Sequence, residues 1–144
     1  MKTRLSIISP AVVALAALAF FGCTELLPVS ITGRISSFVD SLNGSRSDTY
    51  ANLDPSTAAY TGTQLASWWD SPFGVADEPY TYTPASPDTT TPTDVEVTIK
   101  GANGFSKLYK FVMVNVGTVV DSWLISDIQV STGTGTWSSL FNSL

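Results

Sequence analysis

Histidine is absent from all 144 residues. That excludes histidine acid–base catalysis, the Ser-His-Asp triad and the usual zinc sites. Cysteine occurs once, at Cys23, so no internal disulfide can form. Charged residues make up only 13% of the chain, roughly half of the ~25% found in an ordinary domain. Seven basic residues stand against twelve acidic ones, a formal charge of −5. Without a basic field there is little to neutralise phosphates, so nucleic acid is disfavoured as a partner. Apolar residues at 44% are enough for a core, unlike the charge-rich, core-poor composition of disordered chains.

What is present begins with Lys2 and Arg4, then an apolar run from Leu5 to Phe21 that stops at Gly22-Cys23. A basic start, an apolar centre and a small residue follow the order of a secretory signal peptide. A membrane-spanning helix needs about 20 apolar residues. This run is shorter and is interrupted by Pro10, so the signal-peptide reading is favoured.

Phe20-Phe21-Gly22-Cys23 resembles the lipobox of bacterial lipoproteins, although Phe20 and Phe21 stand where Leu and a small residue are usual. The resemblance implies cleavage before Cys23, a diacylglyceryl thioether on its sulfur, and often acylation of the new N-terminus. Two or more acyl chains anchor a protein stably. The alternative is cleavage after Ala19 or Gly22 to a freely secreted protein. Cleavage before Cys23 leaves 122 residues with five basic and twelve acidic side chains, a formal −7. Thr24 follows the cysteine where acidic residues retain some lipoproteins at the inner membrane, which implies an outer-membrane destination in a Gram-negative envelope. The expected organisation is a signal peptide over 1–22, a tether over 23–30, a domain over 31–131 and a tail over 132–144.

Ile31, Ile35, Phe38, Val39 and Leu42 form one apolar stripe at helical spacing. Ser30 is placed to cap this helix, and Asn43-Gly44 to end it in a left-handed residue. Tyr50, Ala51 and Leu53 mark a second short segment, and Leu65, Trp68 and Trp69 a third. Five prolines between 72 and 92 break the chain. Tyr80–Thr83 alternates as an edge strand before a loop over 84–93. Val95, Val97 and Ile99 then alternate with polar residues, Ala102-Asn103-Gly104 signals a hairpin, and 107–116 is apolar on both faces like a central strand. Trp123–Val130 reads as the last strand, with 131–135 flexible and an amphipathic turn over Trp137–Leu144. The fold class is α+β: N-terminal helices packed on a curved antiparallel meander.

Ile35–Gly44, Tyr50–Leu53, Lys110–Val114 and Trp123–Ile128, in that order, resemble the opening helices and closing strands of nuclear-transport-factor-2-like domains. The resemblance covers about residues 30–131. It implies a cystatin-like α+β cone with a pocket, and a superfamily in which some members are isomerases, dehydratases or cyclases and many only bind or dimerise.

Its enzymes place a carboxylate, histidine or tyrosine in the pocket, for which Asp40, Tyr50, Tyr60 and Asp127 are the candidates here. Asp40 lies off the apolar stripe and reads as solvated. Asp127 reads as an outward strand or bulge residue before a pocket one. Tyr50 and Tyr60 read as packed side chains with the hydroxyl at an edge. Trp68 and Trp69 point about 100° apart on a helix, so one belongs in the core and the other at a rim, pocket mouth or partner surface. Trp123 reads as core. Asp77, Glu78, Asp88 and Asp94 lack the spacing of a calcium loop, and no catalytic residue, metal site or cofactor is expected.

The leading expectation is a lipid-anchored, non-enzymatic envelope domain that meets the membrane through Cys23. It would bind an apolar ligand or an envelope protein around Tyr50, Tyr60, Trp68, Trp69 and Asp127. The alternative is a small isomerase- or hydrolase-type pocket enzyme using a carboxylate with tyrosine. A third reading is a structural component contacting its neighbours through Trp137–Leu144. The sequence leaves the oligomeric state open, a dimer included.

Overall fold

In the computed structural model, which describes residues 29–56, 62–84 and 93–143, the apolar stripe becomes helix α1 (Ile31–Asn43). Ile35, Phe38, Val39 and Leu42 are buried along it. The Ser30 hydroxyl caps the start by accepting from the Gly33 N–H at 3.0 Å. The end differs from the expected left-handed stop, since Gly44 has φ −118°. The Asn43 side chain makes the connection instead, donating to the Tyr80 carbonyl at 2.8 Å and accepting from the Tyr80 N–H at 2.6 Å.

A 3-10 turn over Arg46–Asn52 follows. Its three-residue period puts Thr49 and Asn52 inward, whereas Tyr50, marked from the sequence as one of its apolar positions, is 39% exposed. Arg34 stitches this turn to the sheet. Its Nε donates to the Trp123 carbonyl at 2.7 Å, and its Nη1 to the Ala51 carbonyl and the Asn52 Oδ1, both at 3.2 Å. Arg46 does the same for the next segment. It ion-pairs with Asp70 at 3.0 Å and Glu78 at 2.6 Å, and donates to the Phe73 carbonyl at 2.6 Å.

The short helix α2 (Gly62–Trp68) and the chain that follows it bring Trp69, Phe73 and Tyr80 to the core. Beyond it the period changes to two, and five strands form an antiparallel meander in sequence order. They are β1 (Thr81–Pro84), β2 (Asp94–Lys100), β3 (Ser106–Asn115), β4 (Trp123–Gly133) and β5 (Thr136–Ser139). The β2–β3 connection turns on Asn103 (φ 55°) and Gly104 (φ 79°), the positive-φ pair that Asn-Gly adopts at least cost.

Register sets the two faces. Val95 pairs with Phe111 and Phe111 with Ile128, while Val97 pairs with Tyr109 and Met113 with Ile125. All of these are buried against the helices. Phe38 of α1 lies at the centre, its ring 5.2 Å from Trp69, 5.6 Å from Phe111 and 6.3 Å from Phe73. Burying one such side chain stabilises the fold by roughly 1.5–3 kcal/mol.

The C-terminal end differs from the sequence reading. β4 runs on to Gly133, and Thr136–Ser139 is a fifth strand rather than the start of a turn. Gly133 and Gly135, both at positive φ, close the tight β4–β5 connection. A 3-10 turn follows only at Leu140–Ser143, where Phe141 stacks on Trp68 at 5.7 Å. Among the described residues, no helix is long and apolar enough to cross a membrane.

Candidate functional site

With the helices on one face of the sheet, the strand period sends every second residue to the other. On β3 these are Leu108, Lys110, Val112 and Val114, all half-buried between neighbouring strands. Val112 lies between Asp94 and Asp127, Lys110 between Glu96 and Gln129, and Val114 beside Leu124. The Lys110 ammonium sits 4.6 Å above the Trp137 ring, which brings β5 onto the same face. No described helix packs on this side of the sheet. Among the described residues the result is a surface left open by the helices, with an apolar centre, Leu108, Val112, Val114, Leu124 and Trp137, set among Asp94, Glu96, Lys110 and Asp127.

β3 therefore sits in the middle of the sheet, as its two-sided apolar pattern suggested, but the described residues cover only one of its faces. That pattern was the available signal for this surface. It reads equally well as a strand covered on both sides, so by itself it does not single out Leu108, Val112 and Val114.

Asp127 stands at a β-bulge, where the pairing shifts between Val112 and Met113 and leaves Ser126 as the extra residue. Its carboxylate accepts from the Ser139 hydroxyl at 2.6 Å and from the Gln129 amide at 3.0 Å. Both partners hold it on the open face, away from the core. Asp40 lines a shallow polar groove of about 550 Å³ along α1, among Gly33, Ser36, Ser37, Ser41 and Asp48.

Trp69 is fully buried, and its indole N–H donates to the Thr49 hydroxyl at 2.8 Å. Trp68 is half-buried at the rim, its ring 4.4 Å from Trp69. The division of the Trp pair into one core and one rim residue is thus present. Trp123 is half-buried at the core edge. Tyr60 and Cys23 lie outside the described residues. Of the residues grouped from the sequence as pocket or partner surface, the four described do not converge on one site: Trp68, Trp69 and Tyr50 belong to the helical layer, and Asp127 to the opposite face of the sheet.

Between helices and sheet, the space a cone pocket would occupy holds packed rings. Phe73 lies 5.1 Å from Tyr109 and 5.6 Å from Tyr80, and the Tyr80 hydroxyl donates to the Gly74 carbonyl at 2.6 Å. Burial pushes the Tyr109 phenol well above its ordinary value, with Tyr80 adding to the shift, so it stays neutral at physiological pH. Of the acidic residues considered for calcium, Glu78 is held by Arg46, Asp94 lies on β2, and Asp88 falls outside the described residues. Among the described residues, no group of three or more His, Cys, Asp or Glu side chains is placed to hold a metal ion. Comparison with protein-family models, curated proteins and solved structures finds no match to this chain.

Proposed function

We propose that the chain is an exported, lipid-anchored domain of the cell envelope, without enzymatic chemistry, that holds a protein partner against the open face of its sheet. The observation that carries this reading is that face. It is an apolar centre ringed by charges of both signs, the composition of a contact surface with a dry middle and a polar rim. A protein partner fits it better than a small apolar ligand, because the surface is open and the interior is occupied by rings. The anchor rests on Lys2, Arg4, the apolar run and Gly22-Cys23, with an outer-membrane destination if the envelope is Gram-negative. In this reading the domain is a nuclear-transport-factor-2-like cone whose cavity has been filled.

Two measurements test the proposal. Labelled fatty acid should enter the wild type and be lost in Cys23→Ala; equal labelling removes the anchor. Native mass spectrometry of the solubilised envelope complex should show a heteromeric assembly that disappears in Val112→Lys, whose ammonium would stand between Asp94 and Asp127 and leave the fold intact by circular dichroism. An assembly indifferent to that substitution removes the partner face.

A further inference from the structure

The strands β3 and β4 are joined by a loop whose side chains go against burial. Val116 is 47% exposed, Val120 40% and Val119 93%. A wholly exposed valine at a loop tip is tolerable singly, but three in five residues make an apolar knob. The loop is held in this shape from below. The Asn115 side-chain oxygen accepts from the N–H groups of Gly117 at 2.9 Å and Ser122 at 3.1 Å, and its amide donates to Asp121 at 2.7 Å. The Val116 N–H closes the base on the Ser122 carbonyl at 2.9 Å. Gly117 permits the fold-back, since a Cβ there would collide with the Val120 carbonyl oxygen. The valines are therefore presented by a specified loop, and the segment 116–122 carries no basic side chain, Asp121 being its sole charge.

The described chain enters the domain at this same place. Val29 bridges in parallel to Ser122. Its N–H donates to the Asp121 carbonyl at 3.1 Å, and its carbonyl accepts from Trp123 at 3.2 Å. Cys23 lies six residues upstream of Val29. Six residues reach at most about 20 Å even when fully extended. A lipid on the Cys23 sulfur would thus hold the base of the loop within that distance of the bilayer, whatever path the tether takes.

We propose that Val116, Val119 and Val120 form a second membrane contact, inserting among zwitterionic lipid headgroups beside the tether and fixing how the domain stands on the bilayer. This rests on the lipid-anchor reading above. The chemistry matches a neutral interface: apolar side chains enter the headgroup–acyl boundary to about 5–10 Å, and the acidic domain gains nothing from anionic lipid. Such an orientation leaves the open sheet face roughly upright and accessible, and turns the β2–β3 hairpin at the far end of β3 outward. β3 spans ten residues, about 30 Å of separation between its two ends.

The test uses the full lipidated chain, in which Cys23 would be alkylated and an introduced cysteine would be the sole thiol. Val119→Cys and, as control at the far end of β3, Ser106→Cys carry an environment-sensitive fluorophore in phosphatidylcholine–phosphatidylethanolamine vesicles containing nitroxide lipid. Both sites are exposed, so folding is checked simply by unchanged circular dichroism, and Val120→Cys serves as a second loop probe. The expected result is lipid quenching at 119 and 120 roughly threefold or more that at 106, because side chains about 5–10 Å into the headgroup–acyl boundary meet the nitroxide while a site about 30 Å along β3 does not. Quenching at the loop no greater than at 106, with the protein floating on vesicles, overturns the membrane contact and leaves the anchor standing. A loop probe shielded from aqueous iodide but untouched by lipid nitroxide means a protein covers the loop, and also overturns it. Protein that stays off the vesicles with a reactive Cys23 thiol overturns anchor and contact together.

Discussion

Thr49 offers a sharp check on the way the helical layer is joined. It is fully buried, and its hydroxyl works in two directions: it accepts from the Trp69 indole at 2.8 Å and donates to the Arg46 carbonyl at 2.6 Å. Thr49→Val keeps the shape and removes both roles. The indole N–H then sits in the core beside Phe38, Phe73 and Phe141 with no acceptor in Thr49's place. Leaving one buried donor unmade costs about 1–3 kcal/mol, a large share of the roughly 5–15 kcal/mol by which domains are stable. The melting temperature should fall by roughly 4–12 °C for a domain of this size. Urea unfolding followed by far-ultraviolet circular dichroism measures the loss. In a Trp69→Phe background the donor is already gone, so Thr49→Val should there cost less than about 1 kcal/mol. A Thr49→Val protein as stable as wild type, or an equal loss in both backgrounds, refutes the reasoning.

Arg34→Met retains the apolar stem but strips three bonds from the junction of α1, the 3-10 turn and β4; unfolding in urea should show a loss of about 2 kcal/mol, which Arg34→Lys fails to restore because an ammonium lacks the guanidinium fork. Gly104→Ala forces a side chain to φ 79° and should cost about 1 kcal/mol by the same assay, with β-sheet content unchanged. Tyr109 is held neutral by burial and titrates only above its unfolded value of about 10. Stability should therefore be level below that pH and fall above it by up to about 1.4 kcal/mol per pH unit. Tyr80, raised by burial and by Asp77, acts in the same direction. Urea midpoints at pH 8 and pH 11 should differ less in Tyr109→Phe than in wild type, and an identical difference contradicts the assignment.

The elements that follow from periodicity are the ones the sequence makes plain. Ser30 and the stripe from Ile35 to Leu42 define α1, Val95, Val97 and Ile99 define β2, and Asn103-Gly104 defines the hairpin, because each carries a local chemical requirement that few other conformations meet. Two features escape local reading. Trp137 sits in a four-residue strand whose partner, β4, is what makes it a strand; alone it looks like a turn. Thr49 and Asn52 are buried polar residues placed by a 3-10 period, and their satisfaction depends on Trp69 and Arg34, distant in sequence. The open face is hidden for a related reason. A strand apolar on both sides announces that both want cover, but only the tertiary arrangement of Phe38, Leu42 and Trp69 shows which side the helices took.

The central claim is that the protein meets its partner on the face of the sheet turned away from the helices. Site-specific photocrosslinking in the cells that produce it tests this directly, with a benzophenone amino acid placed at Val112 or, for comparison, at Ser36 in the groove along α1. The account predicts one discrete high-mass adduct from position 112 and none from position 36. Adducts from 36 alone, or from neither position, would contradict it.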